Sequence, residues 1–172
     1  MRPTIVEVHE GGVFGSWNVG WTNPTNAITA DSTYATATLT ESGHQTKGLV
    51  FRGIPLDLPP GAIIRKIDVK PTWGLDVAGS VDPQVRLTAV YPDFSASSVK
   101  SSPTLSNVQT TDTYSFTGAA VHALTAAQVN DRALFAVAVQ PKNPDGTDRV
   151  VSADDMQLTV TYQWCSAPSF GA

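Results

Sequence analysis

Acidic side chains are the first candidates for chemistry in this sequence. Asp154 and Asp155 stand together before the last strand-like segment, and Asp145 and Asp148 precede them in a turn. A glycosidase needs two carboxylates that face each other across a sugar, one of them kept protonated by its surroundings. Because adjacent residues at the entry of a regular strand point to opposite faces, Asp154 and Asp155 are not expected to form such a pair. We therefore expect these residues to lie in a loop and the chain not to be an enzyme.

The same acidic residues can also serve as ligands of a structural calcium ion. Ca²⁺ takes carboxylate, amide and carbonyl oxygens, and in carbohydrate-binding jelly rolls such an ion often joins an early loop to the start of the last strand. Here Asp31, with Asn23 and Asn26, occupies the early position, and Asp154 or Asp155 occupies the late one. The dense acidic pattern of a stronger site is missing. The sequence therefore predicts no cofactor, with a calcium site at Asp31, Asp154 and Asp155 as the alternative.

Two tryptophans lie close together in an irregular, glycine-rich segment. Trp17 and Trp21 are separated by three residues. Exposed indole rings can stack on sugar rings, buried ones can close the end of a β-sandwich, and a third placement docks them against a neighbouring subunit. Trp17 and Trp21 are therefore the candidate residues for contact with a partner or a glycan. Trp73 and Trp164 fall in strand-like segments, where a core or sheet-face position is expected.

The histidines and the single cysteine carry less information. His9, His44 and His122 are far apart, and none has the paired spacing of a zinc site. Cys165 has no second cysteine with which to form a disulfide within the chain. We expect a free, partly buried thiol near the end of the last strand.

Composition excludes several classes of function. The chain has 172 residues, enough for one domain with a real core, and a net charge of −4 with basic residues that are scattered. Nucleic-acid binding would need a basic face, and a membrane span would need about 20 apolar residues in a row, so we expect neither partner. Glu7, His9 and Glu10 stand where a secretion signal would have its apolar core. We expect a protein made in a cytoplasm that stays there or leaves inside an assembled particle.

Strand patterns dominate the sequence, with one short helix. Thr125 and Gln128 form a capping-box signature that predicts a helix at Ala126–Asp131. The period-two segments are Thr4–Val8, Tyr34–Thr40, Lys47–Gly53, Ala62–Trp73, Gln84–Tyr91, Asp112–Gly118, Ala133–Val139 and Met156–Trp164. The segment from Pro92 to Thr111 is weakly patterned and predicts a long surface loop.

These elements predict an all-β protein, an antiparallel β-sandwich with jelly-roll or Greek-key wiring. One sandwich domain spans residues 1–172, with an irregular N-terminal segment at about residues 1–20 and a C-terminal tail at about residues 165–172. The residues Leu87, Phe135, Val137, Leu158 and Val160 lie on the apolar faces of the strongest strands and are expected in the core.

Four pieces of sequence, in their order, resemble small jelly-roll proteins of bacteriophage virions. They are WTNPTNAITADSTYATATL at residues 21–39, PPGAII running into IDV at 59–69, LTAAQVND ahead of ALFAVAV at 124–139, and VSADDMQLTVTY at 151–162. Proteins of this type are minor tail, fibre-associated or decoration components. The resemblance implies a non-enzymatic structural protein located in the virion, which acts by protein–protein attachment. Its expected partners are other virion proteins and copies of itself.

The alternative function is that of a carbohydrate-binding jelly-roll module that recognises a glycan on the host surface. Exposed rings at Trp17 and Trp21 favour sugar binding, whereas rings that become buried only on oligomerisation favour assembly.

Overall fold

The chain folds into strands joined by turns, with two short helices. A computed structural model describes residues 1–9, 18–77, 81–95, 97–101 and 105–164. The strands are β1 (Ile5–His9), β2 (Asn18–Val19), β3 (Ala35–Leu39), β4 (Gln45–Thr46), β5 (Gly48–Arg52), β6 (Ile63–Leu75), β7 (Val85–Thr88), β8 (Ser98–Lys100), β9 (Thr110–Thr111), β10 (Tyr114–Thr117), β11 (Ala136–Val139) and β12 (Arg149–Gln163). The helices are α1 (Ala119–His122) and α2 (Ala126–Asn130), and a 3-10 turn covers Pro24–Ile28.

Two antiparallel sheets form the sandwich. The first, called sheet 1, has the strand order β1-β5-β11-β7-β8, and the second, called sheet 2, has the order β10-β6-β12-β3, with β9 also paired to β6. A short parallel pair, β2 with β4, lies apart from both. Neighbouring strands are mostly distant in sequence, because the chain crosses repeatedly between the sheets. The predicted all-β fold, an antiparallel β-sandwich, is therefore confirmed.

The core lies between the sheets and is filled by alternate residues of each strand. Its largest fully buried side chains include Trp73, Tyr114, Phe51, Phe116 and Phe135. Of the predicted core residues, Leu87, Phe135, Val137 and Leu158 are buried. Val160 packs against the core but is only partly buried. It lies near the end of β12, where no strand of the described residues other than β6 pairs with β12.

One of the two helices was predicted from the sequence, and the other was not. The capping box is formed: the Thr125 hydroxyl accepts from the Gln128 backbone N–H, and the Gln128 side chain accepts from the Thr125 N–H. The expectation of one helix was incomplete, because α1 precedes it. That helix starts after Gly118 without a side-chain cap, so the usual start signal is absent. None of the described helices is long and apolar enough to span a membrane.

Two expectations about loops need correction. The last strand begins at Arg149 rather than at Met156, so Asp154 and Asp155 lie inside β12 and not in a loop before it. The segment from Pro92 to Thr111 contains β8 and β9, and it buries Phe94 and Leu105 at 2 % exposure each. Residues 10–17 and 165–172, which include Trp17 and Cys165, lie outside the described residues.

The buried face of β12 provides a direct test of this core. Leu158→Ala should lower the free energy of unfolding by about 2–5 kcal/mol, since it leaves a cavity between the sheets. Thr159→Ala, one residue further along and exposed, is the matched control and should change stability by no more than about 0.5 kcal/mol. Urea denaturation of both variants gives the comparison. Equal stabilities of the two variants would contradict the assigned facing of β12.

Candidate functional site

A β-bulge in β12 places two carboxylates side by side on the outer face of sheet 2. Ala153 pairs with Trp73 and Asp155 pairs with Thr72, so Asp154 is an extra residue in the strand. Ala153 and Met156 both belong to the core, and the two aspartates between them therefore face away from it. The expectation that Asp154 and Asp155 point to opposite faces was wrong, because it assumed a regular strand.

The structure brings Asp154 next to Asp31. The segment after the 3-10 turn lies against β12, and the Asp31 backbone N–H donates to Asp154 Oδ1 over 3.3 Å. Burial is the main cause that raises the pKa of Asp154, and the negative charges of Asp31 and Asp155 raise it further. The hydrogen bond from the Asp31 amide acts in the opposite direction. Folding therefore makes the charged form of Asp154 less favourable than it is in the unfolded chain.

Asp155 is directed to a different partner. Its carboxylate forms a salt bridge of 3.2 Å with Arg2 and accepts from Gln157 Nε2 over 3.1 Å. The other oxygen, Oδ1, is buried without a hydrogen-bond partner. The Asp31 carboxylate accepts from the Thr33 backbone N–H over 3.0 Å. Among the described residues no group of three His, Cys, Asp or Glu side chains is arranged to hold a metal ion, so Asp31, Asp154 and Asp155 do not converge on one point.

The predicted contact residue Trp21 is part of the core. It is 8 % exposed, and its indole N–H donates to the Lys47 carbonyl over 2.8 Å. Of the three placements open to it, Trp21 takes the buried one, so its ring faces neither a sugar nor a second subunit in the isolated chain. Trp73 is also buried and donates to Asp112 Oδ2 over 2.8 Å. Trp164 is 53 % exposed, which makes it the tryptophan most open to a partner among the described residues.

Exposed apolar side chains lie at one end of sheet 2, here called the apolar end. Ile63 pairs with Gln163, and Tyr162 pairs with the buried Ile64, so Ile63 and Tyr162 lie at the same end of the sheet but on opposite faces. The exposed Trp164 directly follows the last residue of β12. A cavity of about 420 Å³ opens beside Ile63. It lies between the turn before β6 and the two helices, and Pro60, His122, Leu124 and Ala127 line its walls. Lys, Arg, Asp and Glu are absent from its lining, which is mainly apolar.

Sequence inspection did not identify the apolar end. The alternation of Ala62–Trp73 placed Ile63 on an apolar strand face, and the strand pattern placed Trp164 in the core or on a sheet face. Their proximity depends on the β6–β12 register across about 100 residues of sequence. The one local signal is the run of apolar residues that follows Pro59-Pro60-Gly61.

A second cluster, here called the Glu7 cluster, lies on the outer face of sheet 1. The Glu7 carboxylate accepts from Arg52 Nε over 2.9 Å and also from the Tyr91 hydroxyl. The Arg52 guanidinium lies 5.2 Å from the centre of the Tyr91 ring, and the His9 ring meets that ring edge-on at 6.0 Å. The hydrogen bond from Arg52 is the main cause that lowers the pKa of Glu7. Phe94, in the same loop as Tyr91, covers a small second core on this face.

Asp154 makes the stability of the fold depend on pH. Its pKa is raised by folding, so the charged form costs stability as pH rises from the unfolded value of about 4 through the folded value. Asp154→Asn removes this cost and can still accept from the Asp31 amide. The free energy of unfolding of the variant, relative to the wild type, should therefore increase between about pH 3 and about pH 7. Chemical denaturation at a series of pH values measures this; a difference that falls as pH rises would refute it.

Glu7 should give the opposite sign. Folding lowers its pKa, so the Glu7 charge stabilises the fold above the unfolded value, and this contribution is lost as pH falls through the folded value. Glu7→Gln should therefore destabilise the protein near neutral pH, with the loss shrinking toward about pH 3. Melting temperatures over the same pH series serve as the readout. A constant loss at every pH would mean that the packing of the side chain, rather than its charge, matters.

Comparison with known proteins does not assign this chain to a family. No family model and no curated protein matches this sequence. A solved structure entitled "CBM4 structure and function" is similar over 77 % of this chain and 87 % of its own, with 17 % sequence identity and a TM-score of 0.47. A likeness at this level identifies neither a family nor a ligand.

Proposed function

We propose that this chain is an attachment protein of a bacteriophage particle, which acts by binding other proteins of the virion and not by catalysis. The sequence resemblance supports the setting, a minor tail or capsid-surface component. The observation that carries the attachment role is the apolar end, where Ile63, Tyr162 and Trp164 are exposed and Ile63 lines a mainly apolar cavity.

Several large apolar side chains exposed together to water cost free energy, and a partner that covers them removes this cost. Single exposed apolar residues are ordinary on protein surfaces, but several together mark interaction sites. The centres of protein interfaces are rich in aromatic residues and poor in charge, and tryptophan and tyrosine are common among the residues that dominate binding. Trp164 and Tyr162 have this character, and the cavity beside Ile63 has no Lys, Arg, Asp or Glu in its lining.

Three paired carboxylates support a binding role over a catalytic one, because each of them is bound to an arginine that holds the fold. Asp145 receives both terminal nitrogens of the buried Arg149, at 2.7 and 2.8 Å, which lowers the pKa of that carboxyl. Glu7 is held by Arg52, and Asp155 by Arg2. These groups stabilise turns and strand pairs, as structural ion pairs do.

One observation favours the alternative function of glycan binding. In the Glu7 cluster the rings of Tyr91 and His9 lie beside a carboxylate and a guanidinium. Aromatic faces and planar charged groups of this kind suit sugar rings and their hydroxyls. Against this function, the hydroxyl of Tyr91 and the carboxylate of Glu7 are already hydrogen-bonded to each other. A glycan would have to compete with that contact.

The apolar end is tested by placing charges on it. Ile63→Lys combined with Ala127→Glu should abolish incorporation of the tagged chain into particles, since both side chains line the uncharged cavity. The glutamate stands in the first turn of α2, where a negative charge is favourable, so the helix should persist. Val108→Lys is the control, because Val108 is 61 % exposed and lies away from the cavity lining. Copy number per purified particle is the measurement.

Two results would count against the proposal. Normal incorporation of the double variant would exclude the apolar end as the attachment surface. Binding of the wild-type chain to a glycan array, lost in Tyr91→Phe while incorporation stays normal, would promote glycan recognition instead.

A further inference from the structure

Within the described part of the chain, one edge of β12 is open, that is, without a paired strand, near its C-terminal end. On one side β12 pairs with β6 as far as Gln163. On the other side it pairs with β3 over Arg149–Ala153, and Leu158 exchanges backbone hydrogen bonds of 2.7 and 2.8 Å with Met1. Because hydrogen-bonding direction alternates along a strand, the N–H and C=O groups of Val160 and Tyr162 point to the same side as those of Leu158. No described strand pairs with them there.

This edge lacks the features that usually prevent pairing with another chain. Natural edge strands carry lysine, proline or a bulge that blocks the approach of a second strand. Residues 159–163 read Thr-Val-Thr-Tyr-Gln, with β-branched and aromatic side chains and no charge. The register shift at this level places the extra residue, Arg65, on β6, so β12 itself remains regular. The open edge is thus a well-formed template for a strand.

A cavity lies directly beside the open edge. It has a volume of about 250 Å³ and is bounded by Leu56, Asp57 and Leu58 on one side and by Val160 and Tyr162 on the other. The wall is fixed in place, because the Asn130 side chain both donates to and accepts from the Leu58 backbone, at 2.8 and 2.9 Å.

We propose that the open edge of β12 pairs with the same edge of a second copy, antiparallel and about a two-fold axis at Thr161. Val160 then lies opposite Tyr162 of the second copy, and each such pair exchanges two backbone hydrogen bonds. Side chains of directly opposed residues lie on the same face, about 5 Å apart at Cβ. Tyr162 of each copy therefore enters the cavity next to Val160 of the other, with the Asp57 carboxylate at the rim as an acceptor for its hydroxyl.

Two observations favour a second copy over another strand. The pairing is self-complementary, since the edge supplies both Val160 and the residue that fills the cavity beside it. The axis passes through an uncharged residue, Thr161, so no like charges meet there.

This inference deepens the proposed function, because it names one of the partners through which the chain assembles. The apolar end and the open edge share Tyr162, but their cavities are separate: Ile63 and Ala127 line the first, and Val160 and Leu58 line the second.

Sedimentation equilibrium of the full chain over a range of concentrations tests the pairing. The wild type should dimerise, and Thr161→Lys should weaken dimerisation about tenfold or more, because two like charges then face each other at the axis. The matched control is Thr38→Lys, at an exposed threonine on the edge strand β3, and this variant should dimerise as the wild type does. A monomer at all concentrations, or a dimer that Thr161→Lys leaves intact, would overturn the inference.

Amide hydrogen exchange gives a readout at the backbone. Protection of the Val160 and Tyr162 amides should rise with protein concentration, whereas the Thr161 amide, already directed to β6, should not change. Protection that is independent of concentration at Val160 and Tyr162 would contradict the pairing. A monomeric chain that loses incorporation through Ile63→Lys with Ala127→Glu would refute this inference and leave the attachment role intact. A dimeric chain whose double variant is still incorporated into particles would support this inference and exclude the apolar end as the attachment surface.

Discussion

The antiparallel pairing of β6 with β12 is the constraint on which the rest of this structure depends. These are the two longest strands of the described chain, and β12 lies between β6 and β3 in sheet 2. Their register decides which side chains fill the core, which carboxylates reach the outer face and which apolar groups meet at the end of the sheet. The extra residue at Asp154 allows odd-numbered residues to face the core before it and even-numbered residues after it. A single insertion thus changes the phase of the whole C-terminal strand.

Sequence reasoning succeeded where local pattern and tertiary structure agree. Alternating apolar residues located the core positions Leu87, Val137 and Leu158, and the Thr125–Gln128 signature located α2. It failed where the answer depends on pairing between distant segments. The bulge at Asp154 interrupts the alternation that would have shown a strand from Arg149, so the start of β12 was placed too late. Trp21 could not be assigned among three placements, because its burial depends on the Lys47 carbonyl to which its indole donates.

The candidate site was harder to predict than the fold for a related reason. An enzyme or metal site often leaves a local motif, but an attachment surface requires only that apolar groups be left uncovered. Ile63 and Trp164 look like ordinary strand residues in the sequence, and the register alone reveals that both remain exposed at one end. The Asp31–Asp154 contact was anticipated as a pair of oxygen ligands. In the structure it links a backbone amide to a carboxylate that burial makes less acidic.

The position of β12 in the chain has a consequence for how the protein folds during synthesis. The strand at the interior of sheet 2 is translated after every other described element, so β3 and β6 leave the ribosome before the partner that joins them exists. Met1 and Arg2, which are translated long before β12, likewise meet Leu158 and Asp155 only after that strand has been made. Contacts between such distant segments must pay the entropy of closing nearly the whole chain into a loop. The pairings of β12 with β6 and β3 therefore form late, and the edge of β6 that β12 covers stays unpaired until then.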